Sequence, residues 1–265
     1  MQILLTNDDG IYAPGLAALR RELRQLGDVC VVAPAVEQSG VGHSITFLTP
    51  LVVKEIWGDD EPLGFAVEGS PADCVKLAVA KFSPRRPDVV VSGINGGLNA
   101  GINVLYSGTV AAAIEGAFFG ITSIAVSLEY DEHAHFDRAA RIAVQLIRQI
   151  LQQTQQAEEQ GRNADSTARL YNVNIPTAAL EGNPRVRVVP MDVTRWGEDF
   201  EERIDPRGRR YYWATGGPPA PADGLETDLI AIQQGDITIT PLHFDMTERR
   251  MLAPMREWEF RLSPL

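Results

Sequence analysis

The chain has 265 residues, 45% of them hydrophobic and 22% charged, the composition of a soluble globular protein large enough for one substantial core. Its 24 Lys and Arg against 35 Asp and Glu leave a net charge of −11, which disfavours a nucleic-acid polymer as partner because such binding needs a basic track. No apolar run reaches membrane-spanning length, so no membrane association is expected.

The N-terminus passes directly into a strand pattern, without the basic segment and apolar stretch of a secretory signal. Cys30 and Cys74 sit in apolar runs and neither has a CxxC partner. They read as reduced, buried thiols and the chain as cytoplasmic, a disulfide or a shared metal being the alternative.

In chain order, the apolar run ending in Thr6 reads as a buried strand. It stops at Asn7-Asp8-Asp9-Gly10, and Pro14-Gly15 then opens a helix with Leu16, Leu19, Leu23 and Leu26 on one face, ended by Gly27. Residues 28–33 form the next strand, closed by Pro34, and residues 34–47 a polar, glycine-bearing loop. Ser70-Pro71 reads as a capped helix start. Residues 88–92 are a β-branched strand, followed by a loop rich in glycine and asparagine. A small-residue helix over 109–119, a strand over 123–127 and a long amphipathic helix over 137–153 complete the first half. This alternation predicts an α/β fold: a Rossmann-like, mostly parallel sheet with helices on both faces.

Residues 152–167 are polar and read as a frayed helix end and surface loop. Shorter strands follow at 170–174, 186–189 and 210–213, then a loop at Gly216-Gly217-Pro218-Pro219, a short helix over 227–234 and a strand over 237–240. The expected organisation is one domain over 1–265. It comprises a Rossmann-like core over 1–150 and a smaller β-rich remainder over 168–265 that ends in an oligomerisation arm. From Asp245 onward, Met251, Leu252, Met255, Trp258, Phe260 and Leu262 stand among charges. They need either a partner subunit or the chain's own domain to cover them.

Three polar segments each follow a predicted strand: residues 6–10, 38–44 and 92–97. In a parallel sheet all three emerge at the carboxyl edge, where ligands bind. They offer the carboxylates of Asp8 and Asp9, the Ser39 hydroxyl and the Asn95 carbonyl, hard oxygen donors suited to one Mg²⁺ or Mn²⁺ ion. Zinc fits less well, for want of clustered Cys or His. Neither these segments nor Tyr106-Ser107-Gly108-Thr109 contains Lys or Arg. A phosphate bound there therefore needs a metal and the backbone N–H groups of a helix N-terminus. Asn7, Gly40, Gly96, Ser107, Gly108 and Thr109 are the candidate phosphate and substrate contacts. Each motif also has a duller reading: an exposed turn at Asn-Asp-Asp-Gly, a plain flexible loop over the Gly/Asn run, a structural histidine at His43.

Together the segments TNDDGIYAPG, VVAPAVEQSGVGHSIT, GSPADCV, PDVVVSGINGGLNAG, YSGTVAAAIEG, YNVNIP and DITITPLHFD resemble the SurE family, the stationary-phase survival nucleotidases. The resemblance implies a divalent metal at Asp8, Asp9, Ser39 and Asn95. It also implies hydrolysis of nucleoside 5′- and 3′-monophosphates, in some members of short polyphosphate too, and homodimers or homotetramers built through exchanged C-terminal segments. The polar insert at 152–167 and the terminus after Thr247 depart from familiar members. The expected reaction is phosphomonoester hydrolysis with Asp8 and Asp9 as catalytic residues. Either Asp9 activates a water or Asp8 attacks phosphorus. The alternative from another class is a non-catalytic regulator that binds metal and nucleotide through the same loops.

Overall fold

The computed structural model describes residues 1–58, 61–160, 169–194, 199–216 and 226–262. The chain opens with β1 (Gln2–Thr6), every residue of which is buried. Next come α1 (Pro14–Leu23), with proline in its first turn, and β2 (Asp28–Pro34). Ile3, Leu4 and Leu5 are fully enclosed. Burying a side chain of this size contributes roughly 1.5–3 kcal/mol, so β1 is pinned in register, and with it the point where Asp8 and Asp9 emerge.

Two strands form where the residue pattern predicted none: β3 (Val53–Trp57) and β4 (Pro62–Val67). β3 is half-exposed with charges at Lys54 and Glu55, and β4 is interrupted by Gly64, so neither shows a clean period. Helix α2 (Pro71–Leu77) starts at the expected cap. The Asp73 amide donates to Ser70 Oγ at 3.1 Å and the Ser70 amide donates back to Asp73 Oδ2 at 2.9 Å, a reciprocal capping box.

β5 (Val89–Gly96) runs four residues beyond the predicted strand, carrying Asn95 and Gly96 on its end. After it come α3 (Gly108–Phe118), β6 (Thr122–Leu128) and α4 (Phe136–Glu159). α4 reaches past residue 153, so the first part of the polar segment is the end of that helix, which runs six residues further than the pattern predicted; residues 161–168 lie outside the described residues. The second half supplies β7 (Leu170–Ile175), β8 (Val186–Val188), β9 (Phe200–Ile204), β10 (Arg210–Ala214), α5 (Asp228–Gln233), β11 (Ile237–Leu242) and α6 (Arg249–Arg256). β9 had no predicted counterpart because its FEERI sequence is dominated by charge. Of the predicted Gly216–Pro219 loop, only Gly216 is among the described residues.

Nine strands form one sheet in the order β3-β4-β2-β1-β5-β6-β7-β11-β8. The run β4-β2-β1-β5-β6-β7 is parallel throughout. β3 and β11 join antiparallel, and β8 pairs parallel with β11. β7, β11 and β8 thus continue the sheet of the first half. β9 and β10 make a separate antiparallel hairpin, exposed along its whole length. α1 and α4 pack over one face of the sheet, with Leu16, Leu19, Val144 and Ile147 in the core between. The other face is filled by residues such as Leu4, Val32, Val75 and Ala112, beneath α2 and α3. The molecule is α/β with helices on both faces of a mostly parallel sheet.

Candidate active site

Three parallel neighbours, β2, β1 and β5, deliver the three polar segments to one edge. At the end of β1 the Asn7 carboxamide folds over the turn. Its Nδ2 donates to Gly10 O at 3.0 Å, and the Gly10 amide donates to its Oδ1 at 3.2 Å. Gly10 sits at φ +100°, a conformation that L side chains rarely adopt. Asn7 is fully buried with both polar ends engaged, so it holds the turn presenting the carboxylates instead of facing a substrate.

Asp8 is 4% exposed and accepts a hydrogen bond from the Thr109 hydroxyl at the start of α3. Burial raises its proton affinity above the ordinary carboxylate range, with Thr109 pulling the other way. Asp9 is less buried; its Oδ2 accepts from the Gly96 amide at 3.3 Å. Burial first, then the neighbouring Asp8 charge, pushes Asp9 up to about 6. The Glu37 carboxylate raises both. The site is therefore a cluster of anions short of positive charge.

Glu37 was not singled out from the residue pattern, because a loop glutamate two positions before Ser39 looks like any solvated charge. The Ser39 hydroxyl donates to it at 2.6 Å. Ser39 thus follows Gln38, whose amide is tied to the Asp8 carbonyl, but its hydroxyl faces Glu37 and not the carboxylate pair. Asn95 Nδ2 donates to Gly97 O at 2.6 Å, leaving Oδ1 without a donor among the described residues. The register between β5 and β6 shifts between Ser92 and Asn95, the kind of irregularity that re-aims a strand end beside a site.

The third wall is the N-terminus of α3. Ser107 caps it, accepting from the Val110 amide at 3.1 Å. At Gly108 a Cβ would lie 2.8 Å from Asp8 Cβ, so only glycine allows this approach. Gly40, at φ +70°, stands on the open side with nothing near its Cβ direction.

The loop between β2 and β3 is tied down along its length. The Gln38 amide donates to Asp8 O at 2.8 Å and the Gly42 amide to Tyr106 O at 3.0 Å. His43 Nε2 lies 2.9 Å from the buried Glu115 carboxylate of α3, and its ring stacks on Phe118 at 5.3 Å. His43 is thus a satisfied structural histidine.

The Gly/Asn run is not a plain flexible loop. The Asn99 amide donates to Asn174 Oδ1 at 2.9 Å, its Nδ2 to Ser127 Oγ at 2.9 Å, and its carbonyl accepts from Asn172 Nδ2 at 2.7 Å. Further on, the Gly101 and Asp192 amides both donate to Asp228, each at 2.8 Å. Asp228 is fully buried, and that burial raises its proton affinity. Spacing alone could not reveal these anchors, which come from β6, β7 and α5.

Among the described residues no three His, Cys, Asp or Glu side chains converge as metal ligands. A cation here would depend on Asp8 and Asp9 plus the neutral oxygens of Ser39 and Asn95, a donor set that fits hard Mg²⁺ or Mn²⁺ better than zinc. Cys30 and Cys74 are both free thiols, so no disulfide joins them. No helix among the described residues is long and apolar enough to cross a membrane.

Fold and site define an α/β protein of Rossmann-like build, with a carboxylate pair and a helix N-terminus meeting at the carboxyl edge of its sheet. The family model described as "Survival protein SurE" matches residues 3–202, and the chain belongs to the SurE family. A Rhodopirellula baltica protein named 5′-nucleotidase SurE is 55% identical over 98% of this chain and 100% of its own length. One of the same name from Pelobacter propionicus is 44% identical over 98% and 100%. The crystal structure of the SurE protein from Aquifex aeolicus superposes with a TM-score of 0.80 at 35% identity, covering 97% of this chain and 98% of that one.

Proposed function

We propose that this chain is a metal-dependent 5′-nucleotidase that hydrolyses nucleoside monophosphates to nucleoside and inorganic phosphate. The observation that carries the reading is the meeting of Asp8, Asp9 and the α3 N-terminus at one sheet edge, with no compensating cation among the described side chains there. The names of full-length relatives support the reaction class. Activity on 3′-monophosphates and on short polyphosphate belongs to the same proposal, as does assembly into a homodimer or homotetramer. The free thiols fit a cytoplasmic protein.

Asp8, Asp9, Ser39 and Asn95 would hold one Mg²⁺ or Mn²⁺ ion. When bound, it supplies positive charge against a phosphate oxygen and the charge developing in the transition state. Backbone N–H groups of Gly108 and Thr109, at the positive end of α3, would receive the remaining phosphate oxygens. Of the two carboxylates, Asp9 is the more open and suits the general base. It takes a proton from water as the water oxygen bonds to phosphorus. The phosphorus–oxygen bond to the nucleoside breaks, and the leaving oxygen gains its proton from solvent. Asp8 is the more enclosed and is held by Thr109, which favours an orienting role over direct attack on phosphorus.

The test is phosphate release from a panel of nucleoside monophosphates with Mg²⁺, with Mn²⁺ and with chelator, Asp9→Asn beside the parent. Release that depends on metal and collapses in the variant is the expected result. No release from folded protein under any metal would overturn the reading in favour of a non-catalytic, nucleotide-binding regulator.

A further inference from the structure

A cavity of about 550 Å³, lined by residues that include Gly96, Tyr130, Asp131, Glu132, His133 and Phe136, adjoins the site through Gly96. Its size suits a small organic group. It shares Gly96 with the site: the amide of that residue donates to Asp9 Oδ2 at 3.3 Å. Residues 130–134 follow the carboxyl end of β6, next to β5, and the Gly97 amide donates to Leu128 O at 2.8 Å. The cavity therefore lies along the same sheet edge, one strand beyond Asn95.

Its walls have a definite chemistry. Phe136 stands 3.7 Å from where a Cβ on Gly96 would lie, within ordinary contact distance, so its ring and Gly96 form one wall of the cavity. Tyr130 is 73% exposed, a bare aromatic face on the rim. The two carboxylates accept hydrogen bonds and repel anions, and Asp131 already shapes the turn by accepting from the His133 amide at 2.7 Å. No lysine or arginine is among the described lining residues. Flat aromatic surface with carboxylate acceptors suits a neutral heterocycle bearing N–H and O–H donors and disfavours a second phosphate.

Resting on the nucleotidase reading, we infer that this cavity receives the nucleoside of the substrate. The base lies against Tyr130, and the Asp131 and Glu132 carboxylates select molecules that carry a single phosphate. The ester phosphorus then sits at Asp9 and Gly96 while the remainder extends over Gly96.

The experiment compares the parent with Tyr130→Ala and Glu132→Lys. Kinetics are measured on AMP, glycerol 2-phosphate and adenosine 3′,5′-bisphosphate, and adenosine binding by calorimetry. Tyr130→Ala is expected to lower the preference for AMP over glycerol 2-phosphate about tenfold, the usual size of one base–aromatic stack, and to weaken adenosine binding in parallel. Glu132→Lys is expected to raise turnover of the bisphosphate relative to AMP. If the parent hydrolyses AMP but both variants keep its selectivity and adenosine affinity, the cavity assignment falls and the nucleotidase reading stands. Equal loss on AMP and glycerol 2-phosphate in Tyr130→Ala also overturns the assignment. A parent that hydrolyses no phosphomonoester removes the underlying reading, and the inference with it.

Discussion

The Thr109 hydroxyl donates to the Asp8 carboxylate across 101 residues of chain, joining the first turn of α3 to the end of β1. One bond thereby fixes the carboxylate and sets the phosphate-facing helix end against it. Removing the donor leaves a buried carboxylate short of a partner, at a cost of about 1.5–3 kcal/mol for a charge-assisted bond. Thr109→Val is expected to lower kcat/KM for a nucleoside monophosphate by roughly ten- to a hundredfold. Thr109→Ser should restore most of it, and steady-state kinetics of the two variants provide the check.

Gly108 tests the same junction sterically. A methyl group there meets Asp8 Cβ at 2.8 Å, a separation that real Cβ atoms do not tolerate, so α3 must move away from β1. Gly108→Ala should cost about 1–3 kcal/mol of stability, read by urea denaturation. Its activity should fall further than that of an alanine substitution on the exposed face of α4.

Asp9 links the site to pH. In the metal-free protein its folded value of about 6 stands above the ordinary 3.8, so the protonated form favours the fold. Its contribution is full below about 4 and is lost as pH rises through 6. Asp9→Asn is therefore expected to raise the melting temperature of metal-free protein at pH 8, with the gain shrinking towards pH 4. Added Mn²⁺ should stabilise the parent at pH 8 more than the variant. Thermal melts across that range, with and without chelator, decide it.

His43 and Glu115 hold the Ser39 loop against α3 at 2.9 Å. Glu115 is 6% exposed in a helix otherwise built of small and apolar residues, so loss of His43 leaves a buried acid without its partner. His43→Ala should destabilise the protein by about 1–3 kcal/mol and speed amide exchange through residues 38–46. A double variant with Glu115→Gln should lose less than the sum of the two single changes.

At the C-terminus, α6 carries Met251, Leu252 and Met255, and Trp258 and Phe260 follow it, all exposed in the single chain. These exposed side chains are the surface that the proposed homodimer or homotetramer would cover. Met255→Glu combined with Leu252→Glu is expected to shift the protein towards monomer, read by light scattering or sedimentation.

Much of the fold was legible along the chain. β1, β2, β5 and β6 are apolar runs with clear ends, and the cap at Ser70 sits where the residues announce it, whereas Ser107, expected as a phosphate contact, caps α3. What escaped were β3, β4 and β9: β3 is the charged edge strand, β9 belongs to an exposed hairpin, and β4, though paired on both sides, is broken by Gly64 so that it shows no clean period. That the segments carrying Asp8, Asp9, Ser39 and Asn95 leave their strands along one edge was legible for a different reason: the carboxyl ends of parallel strands share an edge by topology. Glu37 was not, since nothing local separates a loop glutamate that presses on Asp8 and Asp9 from one that points to water.

The sequence by itself determined the alternation of the central strands and helices, the residue types offered at the sheet edge and the family, because strand periodicity, caps and motif residues are properties of neighbours along the chain. Only the tertiary structure decided that Asn7 holds a turn, that Ser39 faces Glu37, that Asn172, Asn174 and Asp228 anchor the Gly/Asn loop, and that a cavity opens beside Gly96. Hydrogen-bond partners and desolvation depend on which atoms lie within a few ångströms in space. A chain can bring such atoms together only by folding.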